Sequence, residues 1–206
     1  MKKGLFTSAL VLPLVAMGLG TGAPVLADTV DVEPAKGQAQ VADQKTSKAT
    51  VTVKPGKLQL ISVPNLKFNS VTVKNLATQQ NTKTSLSGRD APKVELEDFR
   101  GDKQGWELRA QLGDLKLKDN TKLSNTKIHM HLDNQSGKDL NMPNMLKGGV
   151  VLDAGGYAES LLKTNKTNGF GAAKYLVDAE MNIGKQEKAT AGDYSGTITW
   201  SLFATR

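Results

Sequence analysis

Two histidines, His129 and His131, alternate with Asp133 in "KIHMHLD". Three such side chains two apart share one face of a strand, where they could offer a metal ion three ligands. That face is the polar side of an alternating strand, however, and these are the only histidines in the chain. Cysteine is absent, which excludes a disulfide, a thiolate metal site and a cysteine nucleophile. A serine hydrolase would need one of the histidines beside an activated serine, and no Gly-x-Ser-x-Gly elbow occurs. Glu95, Glu97, Asp98 and Glu107 could supply the acid and base of a glycosidase, but carboxylates scattered in this way are also what a solvated surface gives. The Gly-rich "KGGVVLDAGGY" lacks the strand–loop–helix setting of a phosphate loop and is expected only to turn the chain. These residues point away from catalysis: no enzyme activity, metal or cofactor is expected.

What remains is a pattern of tryptophans. The only two stand in "GWELRAQL", from Gly105, and "GTITWSLF", from Gly196, each two residues before a leucine. Side chains alternate across a strand, so Trp106, Leu108, Ala110 and Leu112 share one face, opposite Glu107, Arg109 and Gln111. Ile198, Trp200, Leu202 and Ala204 share another, opposite Thr197, Thr199, Ser201 and Phe203. Two readings follow. The indoles and leucines line the inside of a sheet and hold two neighbouring strands together, or they form an exposed platform on which sugar rings stack. We take the inward setting as the expectation, with any effect of Trp106 and Trp200 on binding exerted mainly through folding. Just ahead of the first motif, "EDFRGDKQGW" places Asp98 two residues before Arg100, with Gly101 and Gly105 marking a tight turn. The pair can lock onto each other or onto turn amides, or it can be an ordinary exposed ion pair.

The elements that must position these residues read as strands. "KVELEDF" sets Val94 and Leu96 on one face, "KIHMHLD" sets Ile128, Met130 and Leu132, and "KYLVDAEMNI" sets Tyr175, Val177, Ala179, Met181 and Ile183. "TVTVKPGKLQLISV" predicts a hairpin turning at Pro55-Gly56, and "VPNLKFNSVTV" predicts further alternation through Leu66, Phe68, Val71 and Val73. Residues 134–171 form the longest irregular stretch, with a single helical turn expected over 157–163. Many short strands joined by polar turns predict an all-β fold, a single sandwich or barrel-like domain of short antiparallel strands with long loops.

The chain opens on Lys2 and Lys3, continues through an apolar stretch over residues 5–19 and reaches Val25-Leu26-Ala27, the pattern of a secretory signal peptide over 1–27. Residues 28–46 are poor in large apolar side chains and predict a flexible tail, leaving 47–206 as the domain. From residue 47 onward 23 Lys and Arg stand against 16 Asp and Glu, an excess of seven positive charges. Such a field draws anionic partners, wall polymers among them, although dispersed lysines also serve solubility alone. Export makes nucleic acid a poor partner, and no later segment is long and apolar enough to span a membrane. No lipid-accepting cysteine follows the expected cleavage site and "SLFATR" carries no sortase motif, so either non-covalent retention at the surface or free secretion is expected.

Taken together, "SKATVTVKPGKLQLISVPNLKF", "LEDFRGDKQGWELRAQL" and "DYSGTITWSLFATR" resemble the three characteristic blocks of the WxL domain, a family of surface proteins of low-GC Gram-positive bacteria. The resemblance spans residues 47–206. Carried onto this chain, it places the two family motifs on Trp106, Glu107 and Leu108 and on Trp200, Ser201 and Leu202, with Asp98, Arg100 and Gly101 as the preceding block. It implies a secreted protein held on the cell wall non-covalently through peptidoglycan. It also implies larger WxL proteins and a membrane-anchored WxL-interacting protein as partners, the latter an alternative direct ligand. The glycine that the family often shows after the early Phe is here Asn69.

Overall fold

The computed structural model describes residues 43–88, 91–136, 143 and 148–205. The expected signal segment and all but residues 43–46 of the expected tail lie outside them. The chain divides into two units, Met1–Thr50 and Val51–Arg206. In the first, residues 43–50 form no regular element and are exposed. The second carries every described strand.

Among the described residues nine strands and one short helix follow in the order β1 (Leu58–Ser62), α1 (Val73–Thr78), β2 (Asn81–Ser85), β3 (Lys93–Asp98), β4 (Trp106–Leu112), β5 (Thr126–Asn134), β6 (Val150–Asp153), β7 (Glu159–Lys163), β8 (Gly171–Gly184) and β9 (Ile198–Ala204). The fold is an all-β sandwich of two antiparallel sheets. The larger runs β1-β3-β8-β5-β6, with β2 also on β8, and the smaller runs β7-β4-β9.

β8 is the spine of the larger sheet because its alternation holds without a break: Ala173, Tyr175, Val177, Ala179, Met181 and Ile183 are all buried. β5 pairs along nearly its whole length, from Asn134 opposite Tyr175 to Thr126 opposite Ile183. The other edge is shared, with β3 on residues 171–176 and β2 on residues 180–184. Val94 and Leu96 of β3 and Ile128, Met130 and Leu132 of β5 join the same apolar face, and Trp106, Leu108, Ala110 and Leu112 of β4 meet it from the smaller sheet. Inside this core the Tyr175 hydroxyl donates to the Pro143 carbonyl at 3.0 Å, and burial raises its pKa.

Four local expectations are corrected. No hairpin forms at Pro55-Gly56. Residues 51–57 have no regular structure, and Val51 and Val53 stand 89% and 87% exposed, so their alternation faces no sheet. Val73 begins a helix rather than continuing a strand, because Thr72 caps it: the Thr72 hydroxyl accepts the Asn75 N–H at 3.1 Å and Leu76 turns into the core. The stretch 157–163 is not helical but ends in β7, where a bulge sets Leu108 opposite Leu162 and Arg109 opposite Ser160. The extra residue lets Leu161 and Leu162 both be buried, which disguises the strand's period. The Gly-rich segment contains strand β6. A strand without a prior sign is β2, "NTKTS", whose inward side chains are Thr82 and Thr84 rather than aliphatics. Asn69 is tied to this region: its backbone N–H donates to the Ser85 carbonyl at 2.9 Å and its side-chain amide to the same carbonyl at 3.2 Å.

Candidate functional site

β4 and β9 are hydrogen-bonded neighbours, and their register sets the two Trp-x-Leu motifs against each other. Leu108 stands opposite Leu202, Trp106 opposite Ala204 and Ala110 opposite Trp200. The arrangement is locally two-fold about the leucine pair, and each indole on one strand meets an alanine on the other. Large faces small in both places, so two wide rings fit in one layer without collision. Position in the sheet separates the two rings. β4 is central and Trp106 is fully buried, whereas β9 is an edge strand and Trp200, Leu202 and Ile198 are half-buried while packing on the core. Burying an indole removes about 150–250 Å² from water, worth up to about 4–6 kcal/mol for Trp106.

Trp106 also satisfies polar groups. Its indole N–H donates to the Gly169 carbonyl at 2.8 Å, and its backbone N–H donates to the Thr164 hydroxyl at 2.6 Å. The Thr164 N–H returns a bond to the Trp106 carbonyl at 2.8 Å. The chain passes Gly169 in a left-handed conformation (φ +85°), and a Cβ there would run into Thr164 and lie 3.0 Å from the indole nitrogen. The loop 164–170 is thereby held to the first motif. Thr164 and Gly169 gave no sign in the sequence, because they lie 58 and 63 residues from their partner.

Asp98 and Arg100 hold the loop on the other side of Trp106. The guanidinium grips the carboxylate with two bonds, Nε to Oδ1 at 2.9 Å and Nη2 to Oδ2 at 2.7 Å. Nη2 also donates to the carbonyls of Gln104 and Gly105 at 3.0 and 3.1 Å. The Asp98 side chain is 1% exposed and that of Arg100 13%, so the pair is internal rather than a surface ion pair. Both bonding modes open from the sequence occur together, since Asp98 Oδ1 also accepts the Arg100 backbone N–H at 3.1 Å. Gly101 turns the chain at φ +72°. Gly105 then threads where a Cβ would come within 2.6 Å of both the Thr164 carbonyl oxygen and the Thr205 hydroxyl. Asp98 ends β3 in the larger sheet and Trp106 begins β4 in the smaller, so this charged clamp fixes the crossing between sheets.

Glu107 and Ser201, the middle residues of the two motifs, lie on the opposite face of the smaller sheet. Glu107 accepts from Arg109 Nε and Nη2 at 2.9 and 3.0 Å, and Arg109 lies 5.3 Å from the Phe203 ring centre. The Arg109 hydrogen bonds hold the Glu107 carboxyl below its usual range, with smaller help from Ser160 and Lys163. The other carboxylates considered for catalysis are engaged as well. Glu95 takes Lys174 at 2.7 Å, and Glu97 takes the Gln59 amide. His131 Nε2 is 3.0 Å from Asp133 on the solvent side of β5, and among the described residues no three His, Asp or Glu converge as metal ligands.

The paired motifs, the internal Asp-x-Arg clamp and the all-β sandwich agree with a match along nearly the whole chain. The model of the WxL domain, described as a surface cell wall-binding domain, covers residues 23–205. The chain belongs to the WxL family. Membership gives this WxL protein a wall-binding role at the cell surface, in a family defined by binding rather than by catalysis. Comparison with curated proteins gives no significant match. No helix among the described residues is long and apolar enough to cross a membrane.

Proposed function

We propose that this WxL domain attaches directly and non-covalently to peptidoglycan, through its exterior, after export directed by residues 1–27. Residues 28–46 then act as a tail ahead of the wall-binding domain. The observation that carries this reading is the inward setting of the motif: Trp106 and Leu108 are fully buried, so contact with a polymer falls to the loops and outer faces that the motif holds in place. The excess of seven positive charges from residue 47 onward adds a long-range attraction for an anionic wall. Retention of the purified protein on sacculi stripped of protein and teichoic acid tests it. Binding there supports direct attachment, and its loss at high salt assigns the attraction to charge.

One observation favours a second reading, in which the direct ligand is a membrane-anchored WxL-interacting protein and wall attachment is indirect. β9 is the edge of its sheet, and an edge strand offers a row of backbone groups with which another chain can pair. No binding to stripped sacculi, with binding restored by the partner protein, decides for this alternative.

A further inference from the structure

The two loops that Trp106 and the Asp98–Arg100 clamp hold in place meet around an open cleft of about 640 Å³, lined by Phe99, Phe170, Lys103, Lys166 and Thr167, with Gly101 and Gly171 among its walls. Phe99 is 54% exposed, yet its backbone is fixed on both sides. Its N–H donates to the Lys57 carbonyl at 2.9 Å, and its own carbonyl accepts the Gly56 N–H at 2.7 Å. Phe170 comes from the facing chain: Asp98 pairs with Gly171 at the end of the β3–β8 ladder, and Phe99 and Phe170 are the next residues on either side. Two phenyl rings therefore stand at the mouth of the larger sheet, one of them largely in water on a backbone that cannot withdraw it.

The charges lining the cleft that Arg100 does not already neutralise are of one sign. Among the described residues neither Lys103 nor Lys166 takes part in an ion pair, and the one carboxylate lining the cleft, Asp98, is already consumed by Arg100. Lys103 is held in a left-handed conformation (φ 55°), unusual for a residue with a side chain, at the tip of the loop that Arg100 ties down. On the opposite wall, Asn165 accepts from the Thr167 backbone N–H and hydroxyl at 2.8 and 2.7 Å, which shapes the turn that carries Lys166. Rings and cations are thus presented on loops whose geometry is set before any ligand arrives.

We propose that this cleft is the glycan-binding site, and that its ligand is an acidic amino-sugar. The faces of the sugar ring lie against Phe99 and Phe170, while a carboxylate on the ring substituent or a short attached peptide meets Lys103 and Lys166. The inference rests on the peptidoglycan reading above and names the surface and chemistry for it. The rings decide against a polyol phosphate, which offers charge without a ring face, and the lysines decide against a neutral glycan.

The test is titration of the purified full chain with three probes: muramyl dipeptide, the same molecule with its carboxylate amidated, and oligo(glycerol phosphate). Muramyl dipeptide binds best, and amidation weakens it about tenfold, the loss of one good charge contact. Lys103→Gln/Lys166→Gln weakens the acidic probe by the same factor and abolishes the distinction between the acid and the amide. Phe99→Ala removes the preference over glycerol phosphate. All of these side chains except Phe170 are exposed, so the lysine and Phe99 variants keep the parent's unfolding temperature, which serves as the folding control. The proposal is overturned if muramyl dipeptide shows no saturable binding, if glycerol phosphate binds equally well, or if the lysine variant binds like the parent. Failure of the peptidoglycan reading is distinct: the parent then binds muramyl dipeptide but is not retained on stripped sacculi.

Discussion

Replacing Trp106 by Ala removes a side chain that is fully buried, stands opposite Ala204 and supplies the only indole bond to Gly169. Large-to-small changes of this kind cost about 3–5 kcal/mol in transfer and cavity terms. The Gly169 carbonyl left without its donor adds about 1 kcal/mol or more. In a domain of this size each kcal/mol lowers Tm by roughly 2–4 °C, so a loss of about 4–6 kcal/mol lowers it by roughly 8–24 °C. Trp106→Phe keeps most of the volume and loses chiefly the N–H, for about 1–3 kcal/mol. Trp200→Ala, at a half-buried edge position, costs about half of what Trp106→Ala does. Thermal unfolding followed by circular dichroism measures all three. Sacculus retention measured well below each variant's own Tm then separates folding from contact: folded Trp200→Ala is retained like the parent, and folded Trp106→Ala loses only the share of retention that the loosened loop 164–170 contributes. An unfolding temperature unchanged by Trp106→Ala, together with lost retention, would refute the reasoning and make the indole a wall contact.

Arg100→Ala leaves the buried Asp98 carboxylate without its guanidinium and is expected to cost about 3–5 kcal/mol. Arg100→Lys recovers only part of this in denaturant unfolding, because an ammonium cannot reproduce the two-pronged grip and the two carbonyl bonds together. Acid weakens the fold by a defined route. The carboxyls of Glu95, Glu107, Asp114 and Asp119 are all held below the usual carboxylate range, by Lys174, Arg109, Lys122 and the Thr121 amide respectively. The folded state therefore binds fewer protons than the unfolded one in that range. The stability these groups contribute is complete above the unfolded values and is lost as pH falls through the folded ones. Chemical denaturation midpoints should stay level from pH 7 to about 5 and fall below about 4.5. A midpoint that rose on acidification would contradict the assignment.

The parts of the fold legible in the sequence were those with an unbroken period of two and one wet face. β8, β5, β3 and β4 qualify, and each buries the side chains its alternation marks. The hidden parts broke that rule for identifiable reasons. β2 turns threonines inward, β7 carries a bulge that buries two successive leucines, and Thr72 overrides the β-branched pattern by capping a helix. Val51 and Val53 show the reverse, since a perfect alternation has no sheet to face. At the site, the tryptophans could be assigned to a face from spacing alone. The match of each indole to an alanine across the ladder could not, because it depends on the β4–β9 register. Thr164 and Gly169 were invisible for the same reason: their roles exist only once distant segments meet.

Because Trp106 and Trp200 are the only tryptophans, each can be observed alone by fluorescence. In Trp200→Phe the remaining Trp106 should emit in the blue, resist iodide quenching and stay unchanged when muropeptide or sacculi are added. Trp200, observed in Trp106→Phe, should be partly quenched. A Trp106 that emitted in the red, was freely quenched, or became shielded only on wall binding would place the motif on the surface and contradict the inward setting from which the rest follows.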